Sequence, residues 1–267
     1  MKFKLKRTLL VAGIALLGVA VTACSSTKKA SNNDFQSELN QKGTLTIGLE
    51  GTYSPYSYRK DGKLTGFEVE LGKALAKKMG VKAKFVPTKW DSLIAGLGSN
   101  KYDVVLNNIT ETPARAKSYL FSDPYIYSRS VLITRKDETG INKLSDIKGK
   151  KFAEGTGTDN EQTAKKYGAE TLPSGDFATT VSLIKQGRVA GTINSKEAFL
   201  AYQKSNSTAG LKYKDVSDEK DPAKIVALFN KQSTKLRKKT NTALKQLRND
   251  GTLKQLSKKY FSADITK

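Results

Sequence analysis

The chain has 267 residues, with no histidine and a single cysteine. The lack of histidine excludes imidazole acid–base catalysis, Ser-His-Asp triads and imidazole metal sites, and we predict neither a metal nor a cofactor. Lys and Arg (47) exceed Asp and Glu (25), which gives a formal charge of +22 and favours solubility and attraction to polyanions.

The first 23 residues have the pattern of a secretory signal peptide. Four basic residues come first, residues 9–21 are apolar without a charge, and small residues then precede Cys24. The apolar run is short for a membrane span. The sequence VTAC resembles a bacterial lipobox, which implies a lipid on Cys24, such as palmitate, and attachment to the extracellular face of the cell membrane. A folded part without a thiol follows.

The charge is interpreted in the light of this leader. Without the leader the chain has 43 basic and 25 acidic residues, or +18. Nucleic-acid binding and a solvated surface near an anionic envelope both fit such an excess. The signal peptide favours the envelope, and the basic residues are spread along the chain with no base-reading motif, so no nucleic-acid partner is predicted.

The residues after Cys24 are polar. We predict a lipid-anchored flexible tether over residues 24–40, because SSTKKASNND contains few apolar residues. Folded sequence is expected to begin near residues 35–39. About 230 residues then remain, which is enough for one large or two small lobes.

Hydrophobic periodicity predicts strands and helices that alternate along the chain. The predicted strands are 45–49, 81–86, 102–106, 130–134, 151–154, 169–172, 189–193 and 224–229. The predicted helices are 67–79 (closed by Gly80), 91–97, 144–147, 159–167, 177–186, 196–204, 234–247 and 253–260. Alternation of this kind favours a mostly parallel sheet flanked by helices. Two such α/β sets suggest two lobes with a cleft, where ligand sites tend to form.

The segment YDVVLNNITETPAR (102–115) carries the strongest signal for a site. A buried strand ends in two asparagines, and two threonines, a proline and Arg115 follow. Open α/β sheets bind ligands at this carboxyl edge, and an arginine fork can hold both oxygens of a carboxylate. We therefore predict that Arg115 is the anion clamp of a small-molecule site; the alternative is a surface arginine after an ordinary turn.

Aromatic residues follow two other strands. The segment EGTYSPY (50–56) follows the first strand, and its glycine and proline favour a rigid loop. Tyr53 is predicted to form one wall of the pocket, or else to pack within its loop. Trp90, the only tryptophan, stands at a predicted helix start and forms either the facing wall or part of the core.

A glycine-containing loop, Gly155-Thr156-Gly157-Thr158, lies between a strand and a helix. Its backbone N–H groups and the helix dipole suit an anion such as a carboxylate. It is not a nucleotide fingerprint, because the third glycine and the P-loop lysine are missing.

Several motifs taken together resemble one family. GLEGTYSPYSY, TGFEVEL, PTKWDSLIAGL, YDVV with TPAR, FSDPY, DIKGKKFAEGTGT and KKYFSADITK occur in this order. They resemble the solute-binding lipoproteins of polar amino-acid ABC importers (family 3 type), in particular the cystine-binding proteins. The resemblance implies a periplasmic-binding-protein-like type II fold, with two α/β lobes, a hinge and a central cleft. It places lobe 1 at 40–128 plus 228–267, lobe 2 at 130–224, and hinge segments near 127–130 and 225–228.

The resemblance also implies roles in a site. It assigns Arg115 to the ligand α-carboxylate, together with Thr110, Gly157 and Thr158. It assigns the backbone carbonyl of Asn108 to the α-ammonium, and Glu50, Tyr53 and Trp90 to the side-chain pocket. The family usually has an ammonium-binding aspartate where this chain has Ser195. Since an unpaired buried ammonium is costly, we expect Glu50, Glu197 or Asp159 to compensate, or the ligand preference to change.

Two functions follow as hypotheses, and a third is considered and set aside. The first is a monomeric receptor that binds L-cystine or a related polar amino acid and delivers it to an ABC permease. The alternative is a basic surface adhesin that binds collagen, mucin or anionic cell-wall polymers, alone or in addition to transport. An enzyme is not predicted, because general acid catalysis has no histidine or cysteine here and no carboxylate pair stands out.

Overall fold

The fold is described for residues 34–267 of a computed structural model. Its strands are β1 Thr44–Leu49, β2 Tyr58–Lys60, β3 Lys63–Thr65, β4 Lys82–Pro87, β5 Val104–Val105, β6 Tyr119–Phe121, β7 Ile126–Ser128, β8 Ser130–Arg135, β9 Lys151–Glu154, β10 Glu170–Pro173, β11 Gly191–Ser195, β12 Leu211–Asp215, β13 Ala223–Ile225 and β14 Leu228–Asn230. Its α-helices are α1 Phe67–Met79, α2 Trp90–Gly98, α3 Pro113–Ala116, α4 Asp159–Lys166, α5 Phe177–Lys185, α6 Lys196–Ser205, α7 Thr234–Asn249 and α8 Thr252–Phe261. Short 3-10 helices span Asp34–Glu38 and Leu144–Ile147.

The first lobe surrounds a five-stranded sheet with the order β4-β1-β5-β14-β6. β1 runs parallel to β4 and β5, whereas β14 is antiparallel to both of its neighbours. Ile47 of β1 and Phe229 of β14 are fully buried in one core with Leu71 of α1 and Leu244 of α7. Burial of such side chains contributes about 1.5–3 kcal/mol each. The last two helices of the chain therefore complete the lobe that the first strand begins.

The second lobe surrounds a sheet with the order β10-β9-β11-β8-β12. β9 runs parallel to β10 and β11, but β8 is antiparallel to β11 and β12. The predicted mostly parallel arrangement is therefore wrong, since both sheets are mixed. The antiparallel strands β8 and β14 each follow a segment in which the chain crosses from one lobe to the other. The alternation of strands and helices in the sequence does not show where the chain crosses, so it could not predict their direction.

The two crossings form a small antiparallel ribbon. β7 pairs with β13, with Ser128 opposite Ala223 and Ile126 opposite Ile225. The single strand predicted at 224–229 is wrong: β13 belongs to this ribbon and β14 to the first sheet. A continuous apolar run hides such a change of partner, because the run stays buried on both sides of it. The ribbon overlaps the predicted hinge segments.

The N-terminal boundary agrees with the expected start of folded sequence near residues 35–39, but not with a tether that extends to residue 40. Phe35 and Leu39 are buried in the first core, and the Glu38 carboxylate accepts hydrogen bonds from the first backbone N–H groups of α7. A flexible tether up to residue 40 is therefore wrong for residues 34–40. The predicted signal peptide, Cys24 and the rest of the tether lie outside the described residues. Within residues 34–267, no helix is long and apolar enough to cross a membrane.

Two local features follow simple backbone rules. The helix predicted at 67–79 is confirmed as α1, and it ends at Gly80 with φ 74°, the left-handed conformation that glycine adopts without strain. The β2–β3 hairpin was not predicted, although its turn is Asp61-Gly62, a sequence favoured in two-residue hairpins. Both turn residues have positive φ (51° and 73°), as a type I′ turn requires.

Candidate functional site

A cavity of about 120 Å³ lies between the two lobes. One water molecule needs about 10–15 Å³ of such a volume. The cavity therefore has room for several waters, or for a small organic molecule. Eight of the nine predicted site residues line the cavity: Glu50, Tyr53, Trp90, Asn108, Thr110, Arg115, Thr158 and Ser195. The ninth, Gly157, contacts the site through its carbonyl group. The two sheets therefore bring the predicted residues to one place from distant parts of the chain.

Arg115 is held by its own short helix. Thr112 caps α3 through its hydroxyl, which accepts the Arg115 N–H at 3.3 Å, and Pro113 occupies the first turn. The side chain is only 8% exposed, which excludes the surface-arginine alternative. Its guanidinium donates to the carbonyl oxygens of Thr110 (2.8 Å) and Gly157 (3.0 Å). Burial lowers the Arg115 pKa, although an arginine stays protonated in proteins.

The loop before α4 differs from the predicted anion nest. The Gly157 N–H donates to the Glu161 carboxylate at 2.7 Å, so an anion of the protein itself already occupies this donor. The Thr158 hydroxyl caps α4 by accepting the Glu161 N–H, and it donates to the Gly155 carbonyl. What the loop offers to the first lobe is the Gly157 carbonyl group, which Arg115 binds.

Aromatic side chains of the first lobe donate hydrogen bonds across the cleft. Tyr53 Oη donates to Asn194 Oδ1 at 2.7 Å, and Trp90 Nε1 donates to the Thr156 carbonyl at 2.8 Å. The Tyr53 ring also packs on Tyr56, with centroids 5.1 Å apart, so both sequence interpretations of Tyr53 describe part of its environment. These contacts and the Arg115–Gly157 bond hold the two lobes together around the cavity.

Glu50 is fixed by Asn107, whose position after a strand had predicted only a turn. The Glu50 N–H donates to Asn107 Oδ1 at 2.8 Å, and Asn107 Nδ2 donates back to the Glu50 carboxylate at 2.7 Å. Burial raises the Glu50 pKa, the Asn107 hydrogen bond lowers it, and nearby Asp176 and Asp91 raise it further. Glu50 thus presents a rigid carboxylate on the cavity wall.

Position 195 carries no charge in this chain. Ser195 Oγ accepts the Ala198 N–H at 3.1 Å, which caps α6, and accepts the Tyr56 hydroxyl at 3.0 Å. Beside it, Asn194 Oδ1 accepts the Ser195 N–H at 2.7 Å as well as the Tyr53 hydroxyl. Neutral oxygens therefore stand where the resemblance leads one to expect a carboxylate.

The three carboxylates predicted to compensate occupy different places. Glu50 and Asp159 line the cavity, but Asp159 forms an ion pair with Lys220 at 2.5 Å. Glu197 does not line the cavity, and its carboxylate accepts the Ser128 hydroxyl at 2.9 Å. Glu50 lines the cavity too, and the hydrogen bond that its carboxylate accepts comes from the neutral Asn107 amide rather than from a cation.

A fully buried acid, Glu154, was missed by the sequence analysis. It lines the cavity from the end of β9, and its Oε1 accepts the Ile193 N–H at 2.7 Å. Burial raises the Glu154 pKa to about 8, although this hydrogen bond lowers it. An acid at a strand end just before a glycine loop is the only sequence signal for it.

The lobes, the ribbon between them and the cavity in the cleft are the features of a two-lobed solute receptor. The chain belongs to the bacterial extracellular solute-binding proteins, family 3, whose family model matches residues 45–263. The resemblance seen in the motifs is thereby confirmed. The chain is 37% identical over 271 residues to the L-cystine-binding protein TcyA of Bacillus subtilis (strain 168). The alignment covers 98% of this chain and 100% of the relative.

Two solved structures give information on the arrangement of the lobes. An ancestral arginine-binding protein bound to arginine is 35% identical, with a TM-score of 0.76 over 82% of this chain and 98% of its own. The L-cystine solute receptor of Neisseria gonorrhoeae in its unliganded open conformation is 38% identical, with a TM-score of only 0.58 over 87% and 98%. A lower score at higher identity indicates a different lobe arrangement, which agrees with the hydrogen bonds that close this cleft.

Proposed function

We propose that this protein is the extracytoplasmic substrate-binding component of an amino-acid ABC transporter and that it binds L-cystine, or a related polar amino acid, between its lobes. The observation that carries the proposal is the buried Arg115 guanidinium on a small cavity between the lobes. The relatedness to TcyA, which is named for L-cystine binding, supports cystine as the first ligand to test.

Arg115 can bind a carboxylate without losing its present contacts. A guanidinium has five N–H donors, and the Thr110 and Gly157 carbonyl groups use two of them. The remaining donors are available to the α-carboxylate, and a charge-assisted pair of bonds is about twice as strong as a neutral one. Thr110 and Thr158, which also line the cavity, complete this end of the proposed site.

The α-ammonium is bound in a different way from that expected of the family. The Asn108 carbonyl, the Asn194 amide oxygen and the Ser195 hydroxyl are neutral acceptors, and Glu50 supplies the carboxylate. A ligand with a second ammonium group, as in cystine, gains from this arrangement because Glu50 comes from the first lobe and Ser195 from the second. Tyr53 and Trp90 form the side-chain walls.

The remaining parts of the proposal concern the whole protein. Lobe 1 (40–128 plus 228–267) and lobe 2 (130–224) rotate about the β7–β13 ribbon, and the permease accepts the closed form. A lipid on Cys24 keeps the monomeric receptor at the extracellular face of the membrane. We propose no catalytic step. The adhesin alternative stays a prediction, and the relative and solved structures described above are named for amino acids rather than surface polymers.

Calorimetric titration tests the proposal. The protein from residue 25 onwards is used, because residues 33–267 form one compact unit. We expect L-cystine to bind at micromolar concentration or tighter, about −8 kcal/mol, within a panel of cysteine, arginine and glutamate. Arg115→Ala should abolish binding, whereas Arg59→Ala, in the β2–β3 hairpin, should not. The absence of heat from every amino acid would overturn the receptor proposal. Salt-sensitive mucin binding that survives Arg115→Ala would favour the adhesin.

A further inference from the structure

Two buried oxygen atoms near the cavity have no hydrogen-bond partner. They are Glu68 Oε2 and Asn108 Oδ1. Buried polar atoms are almost always paired, because an unpaired one costs about 1–3 kcal/mol of desolvation. Two unpaired acceptors cannot satisfy each other, but a single proton placed between them would satisfy both.

The two residues are already in direct contact. Glu68 lies in the first turn of α1 and is fully buried. Its Oε1 accepts the backbone N–H of Asn108 at 2.6 Å and the hydroxyl of Tyr125. Its second oxygen is thus left beside the residue that carries the other unpaired oxygen.

We propose that Glu68 carries a proton in the closed form and that its Oε2–H donates to Asn108 Oδ1, which makes Glu68 the residue that positions the Asn108 amide on the cavity wall. This assignment satisfies both oxygens with one bond.

This bond fixes the donor-to-acceptor direction along a series of hydrogen-bonded side chains that crosses the cleft. With Oδ1 bound to Glu68, the Asn108 amide turns its Nδ2 donor towards the Tyr53 phenol, whose pKa the Asn108 side chain lowers against the effect of burial. Tyr53 in turn donates to Asn194 Oδ1 at 2.7 Å. Each group therefore donates to the next, from the core of the first lobe to β11 of the second.

The surroundings of Glu68 favour the proton. The Glu68 pKa is raised to about 7, because the raising effects of burial and of the nearby Glu50 carboxylate outweigh the lowering effects of the hydrogen bonds from Tyr125 and Asn108. Burial also raises the pKa of Tyr125, so this partner stays a neutral donor. The other acid of this helix turn, Glu70, is bound to Lys259 and Tyr260 of α8.

When Glu68 loses its proton, Asn108 must offer it a hydrogen-bond donor instead of an acceptor. An ionised Glu68 offers only acceptors, so the amide must rotate and donate Nδ2 to it. Tyr53 then meets Oδ1 of Asn108 and must divide its one hydrogen between the two lobes. The closed form is weakened, and ligand affinity falls as the pH rises through about 7.

The first test needs no ligand. The ¹³Cδ shift of Glu68 is followed against pH by NMR in the protein from residue 25 onwards and assigned by its loss in Glu68→Gln. We expect a midpoint near 7 and a simultaneous shift of the Asn108 side-chain amide. A midpoint near the ordinary value of 4.5, or an amide that does not respond, would overturn the proposal even if no amino acid binds.

The second test rests on the proposed function. Cystine affinity is measured from pH 5.5 to 8.5 in the wild type, in Glu68→Gln and in Glu70→Gln, the same change two residues away on α1. We expect the wild type and Glu70→Gln to lose affinity about tenfold more than Glu68→Gln, whose amide always donates to Asn108. Parallel profiles in all three would count against the proposal. If cystine does not bind at any pH, the proposed function fails while the NMR titration still decides on Glu68.

Discussion

The hydroxyl of Tyr56 donates to Ser195 Oγ at 3.0 Å, across the cleft between the lobes. Both side chains are buried, and burial raises the Tyr56 pKa well above its ordinary value, so the bond joins two neutral groups. The bond gives a hydrogen-bond partner to Ser195, which in the proposed site stands in the place of the ammonium-binding carboxylate. The cleft is therefore held at this point by a contact between the lobes, without a charge for the ligand to neutralise.

Ser195→Asp should strengthen binding of amino acids. The new carboxylate lies beside Tyr56, which can donate to it, and it pairs with the α-ammonium. We expect cystine affinity to rise about tenfold, which corresponds to about 1.4 kcal/mol. Calorimetry measures the change, with Ser195→Asn as the uncharged control. Equal affinities in the two variants would show that a charge at this position contributes nothing.

Arg115→Lys should weaken binding although the charge is kept. A lysine ammonium cannot donate to two carboxylate oxygens in a planar fork or stack on Trp90, whose ring centre lies 5.8 Å from the guanidinium carbon. We expect a loss of about 10- to 100-fold in affinity, measured by titration. Arg59→Lys serves as the control. Unchanged affinity in Arg115→Lys would assign only a point charge to this residue.

Tyr53→Phe should shift the protein towards its open form. The change removes the 2.7 Å hydrogen bond to Asn194 but keeps the ring against Tyr56. One such bond contributes about 1 kcal/mol, or roughly a fivefold weaker affinity. Small-angle scattering should show a larger radius of gyration at a given ligand concentration. Tyr58→Phe in the hairpin should leave both quantities unchanged.

Glu154→Gln should remove part of the pH dependence of stability. The folded-state Glu154 pKa is raised to about 8 from 4.5, so its stabilising effect is fully present below pH 4.5 and is lost as the pH rises to about 8. The free energy of unfolding should fall by several kcal/mol across this range in the wild type, on the order of 1.4 kcal/mol per pKa unit. Urea unfolding at several pH values should give a flatter profile for Glu154→Gln. The exposed Glu170→Gln should follow the wild type.

Gly66→Ala should destabilise the loop that carries Tyr53. Gly66 has φ 126°, and a Cβ atom there would lie 2.2 Å from the Tyr56 carbonyl oxygen. We expect a loss of about 3 kcal/mol or more in unfolding free energy. Gly62→Ala is the matched control, since Gly62 has φ 73° but open space around its Cβ position. Its smaller loss measures the backbone cost alone.

The sequence predicts local structure well where one pattern decides it. The helix of Phe67–Met79 has a periodic apolar face and a glycine stop, and its bounds match. Arg115 was found because its strand, turn and proline lie within 14 residues of each other. The double crossing between the lobes could not be predicted, because pairing of Ile126 with Ile225 depends on residues almost 100 positions apart.

The chemistry of the site was predictable only in part. Residue types at strand ends pointed to Arg115, Tyr53 and Trp90, which all line the cavity. The donors of Gly157 looked free because its partner, Glu161, becomes a partner only when α4 has formed. Likewise the polar role of Asn194 depends on Tyr53, which reaches it from the other lobe.

The place of β14 in the first sheet also determines the order in which the protein can fold. This strand lies between β5 and β6, but it comes more than 100 residues later in the chain. Until it arrives, β5 and β6 have no common neighbour, and the first lobe cannot close its core with α7 and α8. All strands of the second sheet lie between residues 130 and 215, so a chain emerging from its N-terminus completes that sheet first. We therefore expect the half of the protein that begins the sequence to become stable last.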